Sequence, residues 1–409
     1  MHVCILSIGS ELLEGSVVDT NSAFISSQLA RYGATPKMIR MVHDNRQELI
    51  SLFLQLSNEY DVILTTGGLG PTFDDITAEC LSASANLPQK FNEKAYLHLT
   101  EKLNKSKVLI RKEHKNQCML PKGCNLYNNN HGTALGFSIV LNRAEIICMP
   151  GVPIEMKDMF VSEIMPKLVK DFNLTEICMV DLHFISIAES EIDAVIRKLN
   201  IENIECIINA SAGKVVVKLR GNDALAVENI ASQIESSFPN NFAGRNIINL
   251  SEIVISLLKE QGKTISFAES CTGGLVSKMV TDTRGASAVF YGGIVSYDNS
   301  IKENLLKVGV NTLNVFGAVS HECALEMAFG VKNLMKTDYG VSITGIAGPN
   351  GDTKTKEVGL VYIAITDGER IEVIKNNFTG NREQIRQKSA NKALITIINF
   401  LNKQGKKNA

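Results

Sequence analysis

The chain has 409 residues, more than one ordinary hydrophobic core contains, so two or three domains are expected. Hydrophobic residues make up 44% and charged residues 21%, a composition typical of globular proteins. The formal net charge of -1 excludes a general attraction to nucleic acid or to an anionic membrane surface. Residues 245–409 are mildly basic, with 20 Lys and Arg against 15 Asp and Glu, which suits a small anionic ligand better than a polymer.

The cysteines and the first residues both favour a reducing compartment. The nine cysteines are scattered and never spaced as C-x-x-C, so they predict neither a disulfide framework nor a zinc site. The start, "MHVCILSIGSELLEG", has no basic segment before its apolar run, and no stretch of the chain approaches 18 apolar residues. We therefore expect a cytoplasmic protein that does not associate with membranes.

Residues 1–170 alternate between strand and helix patterns. The short apolar runs "VCILSIG", "PKMIRMV" and "DVILTTGG" are separated by segments whose apolar residues recur every three or four positions. This order predicts an α/β domain with a doubly wound parallel sheet. Ligands of such sheets bind at the carboxyl ends of the strands. The residues that follow "DVILTT" are therefore candidates for a site.

Residues 171–245 predict a small α+β connector. The strand pattern "ICMVDLHFISI" is followed by the helix pattern "SEIDAVIRKLN". Two further strands, "NIECIINAS" and "KVVVKLRG", and the helix "DALAVENIASQIESSF" come next. The βαββα order resembles a KH-type module in outline, but the G-x-x-G loop that clamps a nucleic-acid backbone is missing. We expect a spacer or a dimer-forming piece, and no direct contact with nucleic acid.

Residues 246–409 predict a second α/β domain. The helix "SEIVISLLKEQG" and the strand "KTISFAE" lead into "AESCTGG", and four more strands alternate with the helices "HECALEMAFGVKNLM" and "NREQIRQKSANKALITIINFLNK". No repeat relates the two large domains.

The segment "TTGGLGPTFDDIT" follows a predicted strand and leads into a predicted helix. Its glycines let the backbone approach a ligand closely, and loop amides at a helix start bind phosphate groups. Asp74 and Asp75 then stand where a divalent ion can bridge carboxylate and phosphate, or Asp74 is only an N-cap and Asp75 a charge in the first helical turn. The residue types leave these two interpretations open.

This segment, together with "GSELLEGSVVDTNS", "HGTALG" and "MPGVPIEM", resembles the molybdopterin-binding (MoaB/MogA-like) domain at the front of CinA proteins. The resemblance implies a phosphorylated ligand at the glycine loop and metal-dependent hydrolysis of ADP-ribose to AMP and ribose 5-phosphate. Leu135 stands where the family usually has Pro, and we expect it to alter the rim of the pocket. The implied positions for binding phosphate are Asn21, Thr66, Gly67, Gly68 and Gly70, and those for a divalent metal of unknown identity are Glu11, Asp74 and Asp75.

In "AESCTGG" three side chains with nucleophilic groups precede a glycine pair. Ser270 is expected at a helix N-terminus among free amide donors, where the backbone stabilises an oxyanion or a phosphate. Ser270 and Thr272 as simple helix caps, and Cys271 as a packed apolar side chain, are the alternatives. A serine nucleophile needs a base, and the candidates are His321 and Lys302. A solvated helix lysine is the competing interpretation of Lys302, because its pKa must fall by roughly three units for the role.

Two further patterns favour an anionic ligand in the same domain. Arg382 and Arg386 lie four residues apart on one face of a predicted helix, where they bind phosphate or pair with a neighbour such as Glu383. Ser342 and Thr344 stand at the carboxyl end of a predicted strand, before "GIAGPNG".

The motifs "AESCTGG", "YDNSIK", "GAVS", "SITGIAGPNG" and "GNREQIR" together resemble the C-terminal domain of CinA proteins, the PncC-type nicotinamide mononucleotide (NMN) deamidase. The resemblance implies hydrolysis of NMN to nicotinic acid mononucleotide and ammonia by a Ser270–Lys302 pair, without a cofactor. Asn381 stands where many relatives have Asp, which removes a partner for the arginines. The implied substrate-binding positions are Thr272, Gly273, Tyr297, Asn299, Thr344, Gly345, Arg382 and Arg386.

The sequence therefore predicts an enzyme with two small-molecule substrates, NMN and ADP-ribose, and by family analogy a homodimer. Two alternatives remain: a non-catalytic nucleotide-binding regulator or competence accessory protein, and an enzyme whose main activity is pterin adenylyl or nucleotide transfer by the first domain. The lack of a basic stripe with interleaved aromatic residues argues against direct DNA contact.

Overall fold

The computed structural model describes residues 1–185, 187–211, 214–239, 241–247, 249–351 and 356–405. The chain forms two compact units, Met1–Cys178 and Met179–Ala409. Both units combine β-sheets with helices, so the predicted α/β class is confirmed. Within the described ranges, no helix is long and apolar enough to cross a membrane.

A six-stranded sheet forms the centre of the first unit. The strands of this unit are β1 (Val3–Ile8), β2 (Met38–Val42), β3 (Val62–Thr66), β4 (Gln89–Phe91), β5 (Met119–Pro121), β6 (Asn125–Tyr127), β7 (Gly136–Leu141) and β8 (Ala144–Met149). The order in the large sheet is β2-β1-β3-β8-β7-β6, and β4 pairs with β5 separately. The first four strands are parallel, but β7 and β6 run antiparallel to their neighbours. The three strands that predicted a parallel sheet, β1, β2 and β3, are parallel. The sheet also contains the antiparallel strands β6 and β7, which the prediction did not include and which join β8 through hairpin connections.

Helices cover both faces of this sheet. They are α1 (Ser10–Leu13), α2 (Thr20–Ala30), α3 (Arg46–Glu59), α4 (Thr77–Ser84), α5 (Glu93–Lys105), α6 (Pro153–Met159) and α7 (Met165–Asp171). Strand β1 is buried throughout because Cys4 and Leu6 point into one core while Val3 and Ile5 point into the other. A continuous apolar run of this kind is typical of a strand covered on both faces.

A four-stranded sheet begins the second unit. Its strands are β9 (Cys178–Ile185), β10 (Glu205–Ser211), β11 (Lys214–Gly221) and β12 (Phe242–Arg245), in the order β10-β11-β9-β12, with helices α8 (Glu189–Ile196) and α9 (Ala224–Ser237). The predicted βαββα order is present. Strand β12 was missed because its four residues contain a glycine and carry little periodicity. Val215, Val217 and Leu219 of β11 are buried, whereas the residues between them are less so.

A five-stranded sheet follows, in the order β14-β13-β15-β16-β17. Its strands are β13 (Ile265–Glu269), β14 (Phe290–Val295), β15 (Tyr339–Gly345), β16 (Leu360–Thr366) and β17 (Ile371–Asn377), and its helices are α10 (Leu250–Gln261), α11 (Leu275–Thr281), α12 (Asn299–Asn304), α13 (Val310–Val315), α14 (His321–Met335) and α15 (Arg382–Gly405). Strands β14, β13 and β15 are parallel, whereas β16 and β17 alternate in direction.

This topology collects the predicted motifs at one edge of the sheet. The register pairs Glu269 with both Val295 and Ile343, so β13, β14 and β15 end side by side. Leu360, at the start of β16, pairs with Asn377, at the end of β17. The four segments that follow β13, β14, β15 and β17 therefore leave the sheet at the same edge.

Candidate active sites

The glycine loop, residues 67–70, follows β3 of the first unit. Gly67 and Gly68 have φ angles of 106° and 67°, which favour glycine. A Cβ at Gly67 would lie 2.1 Å from the Ile8 carbonyl oxygen, and one at Gly68 would lie 2.1 Å from Thr77 Oγ1. Only glycine therefore allows the loop to pass this close to β1 and to the start of α4.

The glycine loop presents unused hydrogen-bond donors. The amide of Gly67 donates to the Met149 carbonyl oxygen at 3.0 Å, but those of Gly68, Leu69 and Gly70 have no acceptor among the described residues. Helix α4 begins at Thr77 without a side-chain cap, because Ile76 occupies the N-cap position. Free amides beside a helix N-terminus suit an anion such as a phosphate group.

A cavity of about 450 Å³ lies at this edge and contains five carboxyl groups. None of the described residues that line it is Lys, Arg or His. The carboxyl groups belong to Glu11, Asp44, Asp74, Asp75 and Glu155. The other lining residues are Ile8, Gly9, Gly67, Gly68, Leu69, Gly70, Pro71, Gln117, Thr133, Ala134, Pro150, Gly151 and Val152.

The interpretation of Asp74 as a helix cap was wrong, because Asp74 lies exposed, three residues before α4. Asp75 Oδ2 accepts hydrogen bonds from Thr72 Oγ1 at 2.5 Å and from the Thr72 amide at 2.8 Å. Asp75 therefore shapes the loop while also lining the cavity.

Asn21 and Thr66 are the two predicted positions that do not line the cavity. Asn21 is buried near the start of α2, and its Nδ2 donates to the Gly151 carbonyl oxygen at 2.8 Å. Its Oδ1 is buried with no partner among the described residues. Thr66 is buried at the end of β3. Asn21 therefore positions the loop that carries Gly151 to the cavity wall.

Sequence reasoning did not find Asp44 and Glu155. Asp44 Oδ2 accepts hydrogen bonds from the Ser10 amide at 3.0 Å and the Ser10 hydroxyl at 3.2 Å, which hold it beside the start of α1. Glu155 Oε2 accepts from Asn129 Nδ2 at 2.8 Å. Glu155 belongs to the recognised segment "MPGVPIEM", so that motif contained a signal for it. Leu135, expected at the pocket rim, lies in the hydrophobic core instead.

The donor set of this cavity fits a divalent cation, because carboxylate oxygens are the ligands that hard cations prefer. No group of three or more His, Cys, Asp or Glu side chains is already arranged as a ligand set within the described ranges. A cation bound here would therefore complete its coordination with oxygens of the ligand, as Mg²⁺ does in many phosphate sites.

The serine loop, residues 270–274, follows β13 of the second unit and leads into α11. The Glu269 carboxylate is buried and accepts hydrogen bonds from the amides of Val276 (3.1 Å) and Ser277 (2.8 Å) and from the Ser277 hydroxyl (2.7 Å). Glu269 therefore caps α11, and the interpretation of Ser270 and Thr272 as caps was wrong. Because Glu269 accepts hydrogen bonds from these two amides, the prediction of free amide donors in the first turn of α11 was also wrong.

Within the serine loop the three candidate nucleophiles differ. Ser270 is 9% exposed, and its amide donates to the Ile343 carbonyl oxygen at 2.9 Å. Burial raises the pKa of the Cys271 thiol to about 12, which keeps it protonated and unreactive. Thr272 is fully buried, and its Oγ1 has no partner among the described residues.

Lys302 is 1% exposed on the short helix α12, so the interpretation as a solvated lysine was wrong. Its Nζ donates to the carbonyl oxygens of Ser296 (2.7 Å) and Tyr297 (3.2 Å), and no carboxylate lies within ion-pair distance in the described part of the chain. The Ser296 amide in turn donates to the Glu269 carbonyl oxygen at 2.8 Å, which ties the lysine to the residue before Ser270. Burial lowers the pKa of Lys302, and the nearby Cys323, Asp298 and Cys271 partly oppose that effect.

Tyr297 and Arg382 meet at this edge, although 85 residues separate them in the sequence. Arg382 Nη2 donates to the Tyr297 hydroxyl at 3.1 Å and Nη1 to the Gly348 carbonyl oxygen at 2.6 Å. Arg386 Nη2 donates to the Thr272 carbonyl oxygen at 2.8 Å, which places it against the serine loop. Neither guanidinium pairs with a carboxylate in the described residues, so the alternative pairing with Glu383 was wrong.

Asn381 has a structural role at the start of α15. Its Oδ1 accepts from the Gln384 amide at 2.9 Å, and its own amide donates to Gln384 Oε1 at 2.9 Å. This reciprocal capping stabilises the helix N-terminus that holds the two arginines.

The remaining predicted positions lie around the same edge. The Thr344 hydroxyl donates to the Ala318 carbonyl oxygen at 2.6 Å, so it joins the "GAVS" segment to β15. Gly345 allows a close approach of β16, since a Cβ there would lie 2.6 Å from Val361 Cγ2. Asn299 begins α12 and is exposed, as is His321 at the start of α14.

Comparisons with known proteins agree with both parts of this description. Residues 4–170 match the family model described as "Probable molybdopterin binding domain", and residues 247–401 match "CinA C-terminal domain". A CinA-like protein of Prochlorococcus marinus is 38% identical over 408 residues, covering 97% of this chain and 96% of that protein. A CinA-like protein of Endomicrobium trichonymphae is 37% identical over 417 residues, covering 96% and 97%. The crystal structure of the competence/damage inducible protein CihA from Agrobacterium tumefaciens shares 38% identity over 37% of this chain and 93% of that one, with a TM-score of 0.37.

Fold and sites thus define an α/β protein that joins a molybdopterin-binding-type domain to a CinA C-terminal domain. The chain belongs to the CinA family. The resemblance recognised in the sequence motifs is confirmed.

Proposed function

We propose that the edge around Ser270 hydrolyses the carboxamide of NMN, releasing ammonia and nicotinic acid mononucleotide. The observation that carries the proposal is the buried Lys302, which has no carboxylate partner among the described residues. A buried lysine without a counter-ion is rare in a purely structural role, because desolvation disfavours its charged form.

A neutral Lys302 amine matches its surroundings. A neutral amine has two N–H donors and one lone pair, and the carbonyl oxygens of Ser296 and Tyr297 accept both protons. The lone pair then remains to accept the hydroxyl proton of Ser270. Deprotonated Ser270 attacks the carboxamide carbon, the amine returns the proton to the leaving nitrogen, and ammonia departs. Water, activated by the same amine, releases the acid from the acyl-enzyme.

Amides of the serine loop are available for the oxyanion. Those of Ser270 and Gly273 donate to backbone oxygens, whereas those of Cys271, Thr272 and Gly274 have no backbone acceptor among the described residues. Donors that are fixed before the reaction stabilise developing negative charge without reorganisation.

The charges of NMN suit this edge. Its pyridinium ring repels a protonated lysine, which further favours the neutral base. Its phosphate group is an acceptor for Arg382 and Arg386, which have no carboxylate partners in the described chain.

The proposal is tested by assaying ammonia and nicotinic acid mononucleotide after incubation of NMN with the full chain. Ser270→Ala is expected to lower the turnover number by about 10⁴-fold or more. Cys271→Ala, the matched variant of the adjacent thiol, is expected to keep most of the activity. Loss of activity in Cys271→Ala, with activity kept in Ser270→Ala, would identify the thiol as the nucleophile. If the wild type does not turn over NMN, a nucleotide-binding regulator is the better description.

We further propose that the first unit hydrolyses the pyrophosphate of ADP-ribose to AMP and ribose 5-phosphate with a divalent metal. The free amides of the glycine loop and the five carboxyl groups of its cavity support this proposal. Glu11, Asp74 and Asp75 would hold the metal, which supplies positive charge at the pyrophosphate oxygens. The glycine-loop amides bind the adjacent phosphate oxygens and orient the ligand.

The test is incubation of the full chain with ADP-ribose and, separately, with molybdopterin precursors, each with and without a divalent metal. Glu11→Gln is expected to lower AMP formation, while Glu14→Gln, which removes an exposed carboxylate outside the lining, is expected to leave it unchanged. Conversion of the pterin instead of ADP-ribose would favour the nucleotide-transfer alternative.

A further inference from the structure

The four-stranded sheet of the second unit carries a cavity on the face opposite its helices. Alternate residues of β9 and β11 point to this face, while Leu182, Phe184 and Val217 are buried on the other. The cavity has a volume of about 480 Å³, and we call it the connector cavity. It is lined by Met179, Asp181, His183, Asn209, Lys214, Val216, Lys218, Asn246 and Ile247.

His183 lines the connector cavity with unsatisfied polar atoms. The side chain is 4% exposed, and neither ring nitrogen has a hydrogen-bond partner among the described residues. Burial, together with the charges of the nearby Lys214 and Lys218, lowers the pKa of His183 to about 4, so the ring is neutral at physiological pH. A neutral ring offers one N–H donor and one acceptor. Buried polar groups without partners are rare, and such a group aimed into a cavity calls for a ligand or solvent.

Two lysines lie beside this histidine without ion-pair partners. Within the described ranges, neither Lys214 nor Lys218 has a carboxylate within 4.0 Å. Lys214 is half-buried; burial lowers its pKa, and the nearby Asp181 and Glu252 partly oppose that effect. Asp181 is the single acidic residue in the lining. With a neutral histidine, the lining therefore has an excess of positive charge.

Asn246 gives the wall a fixed amide. Its Oδ1 accepts from the Asp181 amide at 2.9 Å, and its own amide donates to the Asp181 carbonyl oxygen at 2.7 Å. Its Oδ1 is engaged by the backbone, and its Nδ2 donates to no acceptor among the described residues. Ammonium groups, an imidazole N–H and an amide donor together match the oxygens of a phosphate group and a neighbouring hydroxyl.

We propose that the connector cavity binds the phosphate group of a small phosphorylated molecule, with Lys214 and Lys218 opposite the phosphate and His183 donating to one of its oxygens. A metal cation does not fit, because two lysines face one carboxylate. A nucleic-acid strand does not fit either, since the basic residues of the lining lie at one cavity and form no extended stripe. This site is independent of the two proposed active sites.

The test uses the full chain labelled with ¹⁵N-histidine and titrated with inorganic phosphate. The seven histidines give few signals, and loss of one signal in His183→Asn assigns His183. Phosphate is expected to shift the His183 signal saturably. Phosphate bound at the other two sites would leave this signal in place.

Lys214→Gln/Lys218→Gln is expected to raise the dissociation constant reported by the His183 signal at least about tenfold, because two charge-assisted contacts are lost. Lys198→Gln/Lys375→Gln removes the same charge from exposed positions outside the lining and is expected to leave the constant unchanged. A His183 signal that does not move in the wild type, or that moves equally in both double variants, would overturn the proposal. The rate of NMN deamidation is expected to be the same in all of these chains, so failure here is distinct from failure of the proposed function.

Discussion

The glycine loop after β3 and the serine loop after β13 occupy the same place in their sheets, yet their surroundings have opposite charge. Both follow the carboxyl end of a parallel strand and both need glycine at positive φ. The cavity at the glycine loop is lined by five carboxyl groups and by no cationic side chain among the described residues. At the edge that carries the serine loop, Arg386 donates to the Thr272 carbonyl oxygen, and Lys302 and Arg382 both contact Tyr297. None of these three cations has an ion-pair carboxylate in the described chain.

This difference shows that the position of a loop at the end of a strand does not determine the charge of the side chains around it. An acidic cavity needs a cation from solution before it can accept a pyrophosphate, whereas a cationic edge can accept a phosphate directly. Function therefore depends on side chains that come from elsewhere in the fold.

The largest expected contrast comes from removing divalent metal. A chelator is expected to abolish ADP-ribose hydrolysis by the full chain, because the carboxyl groups would then repel the pyrophosphate. NMN deamidation is expected to keep its rate in the same sample, because Lys302 and the arginines supply the positive charge. Parallel assays of AMP and ammonia, followed by readdition of Mg²⁺ or Mn²⁺, measure both. If the chelator lowers both activities equally, the proposed difference in how the two sites neutralise negative charge is contradicted.

Replacing the buried base is expected to have the next largest effect. Lys302→Met keeps the volume but removes the amine, so kcat for NMN is expected to fall by about 10²- to 10⁴-fold. The wild-type kcat/KM is expected to fall as the pH drops below the pKa of Lys302, because only the neutral amine accepts a proton. Burial lowers that pKa, so this acidic limb lies below the ordinary lysine value of about 10.4.

The acidic limb is expected to disappear in Lys302→Met, and circular dichroism would establish that the variant is folded. Lys307→Met is the matched control, because Lys307 is exposed five residues further on. A wild-type profile that stays flat, or a limb that survives in Lys302→Met, would exclude the lysine as base.

The arginines are expected to act on binding more than on turnover. Arg386→Gln is expected to raise KM for NMN about 10- to 100-fold, since a charge-assisted hydrogen bond contributes about 1.5–3 kcal/mol. Nicotinamide riboside lacks the phosphate, and its deamidation is expected to be equally slow in wild type and variant. If Arg386→Gln lowers the activity towards NMN and towards nicotinamide riboside by the same factor, Arg386 acts only by holding the Thr272 carbonyl group.

Local sequence patterns predicted most strands and helices because alternation and three- to four-residue spacing are properties of neighbouring residues. Helix α14 begins and ends where the segment "HECALEMAFGVKNLM" does. The glycine and serine loops were found for the same reason, since each motif is continuous in sequence. The antiparallel strands β6 and β7 were missed because their pairing depends on short hairpin connections, which the predicted parallel order did not include.

The parts of the site that escaped prediction depend on distant contacts. Asp44 reaches the cavity from the loop after β2 and Glu155 from the first turn of α6, and neither is marked by local spacing. Lys302 was predicted as the base, with a solvated helix lysine as the competing interpretation, but its burial could not be predicted because it depends on the packing around α12. The same limit applies to Glu269, whose capping of α11 depends on where β13 ends.

The smallest expected effect is a difference in thermal stability between alanine substitutions in the glycine loop and in the serine loop. Gly68→Ala places a Cβ 2.1 Å from Thr77 Oγ1 at a φ of 67°, so both the contact and the backbone are unfavourable. Gly274→Ala also has positive φ, at 90°, but its Cβ would lie 3.6 Å from Val295 Cγ2, an ordinary contact. The backbone alone costs about 1–2 kcal/mol in each case. Calorimetry of the full chain is therefore expected to show a larger fall in melting temperature for Gly68→Ala than for Gly274→Ala. Equal falls would mean that the glycine loop shifts to accommodate a side chain, and the close approach of α4 would then not be what requires glycine there.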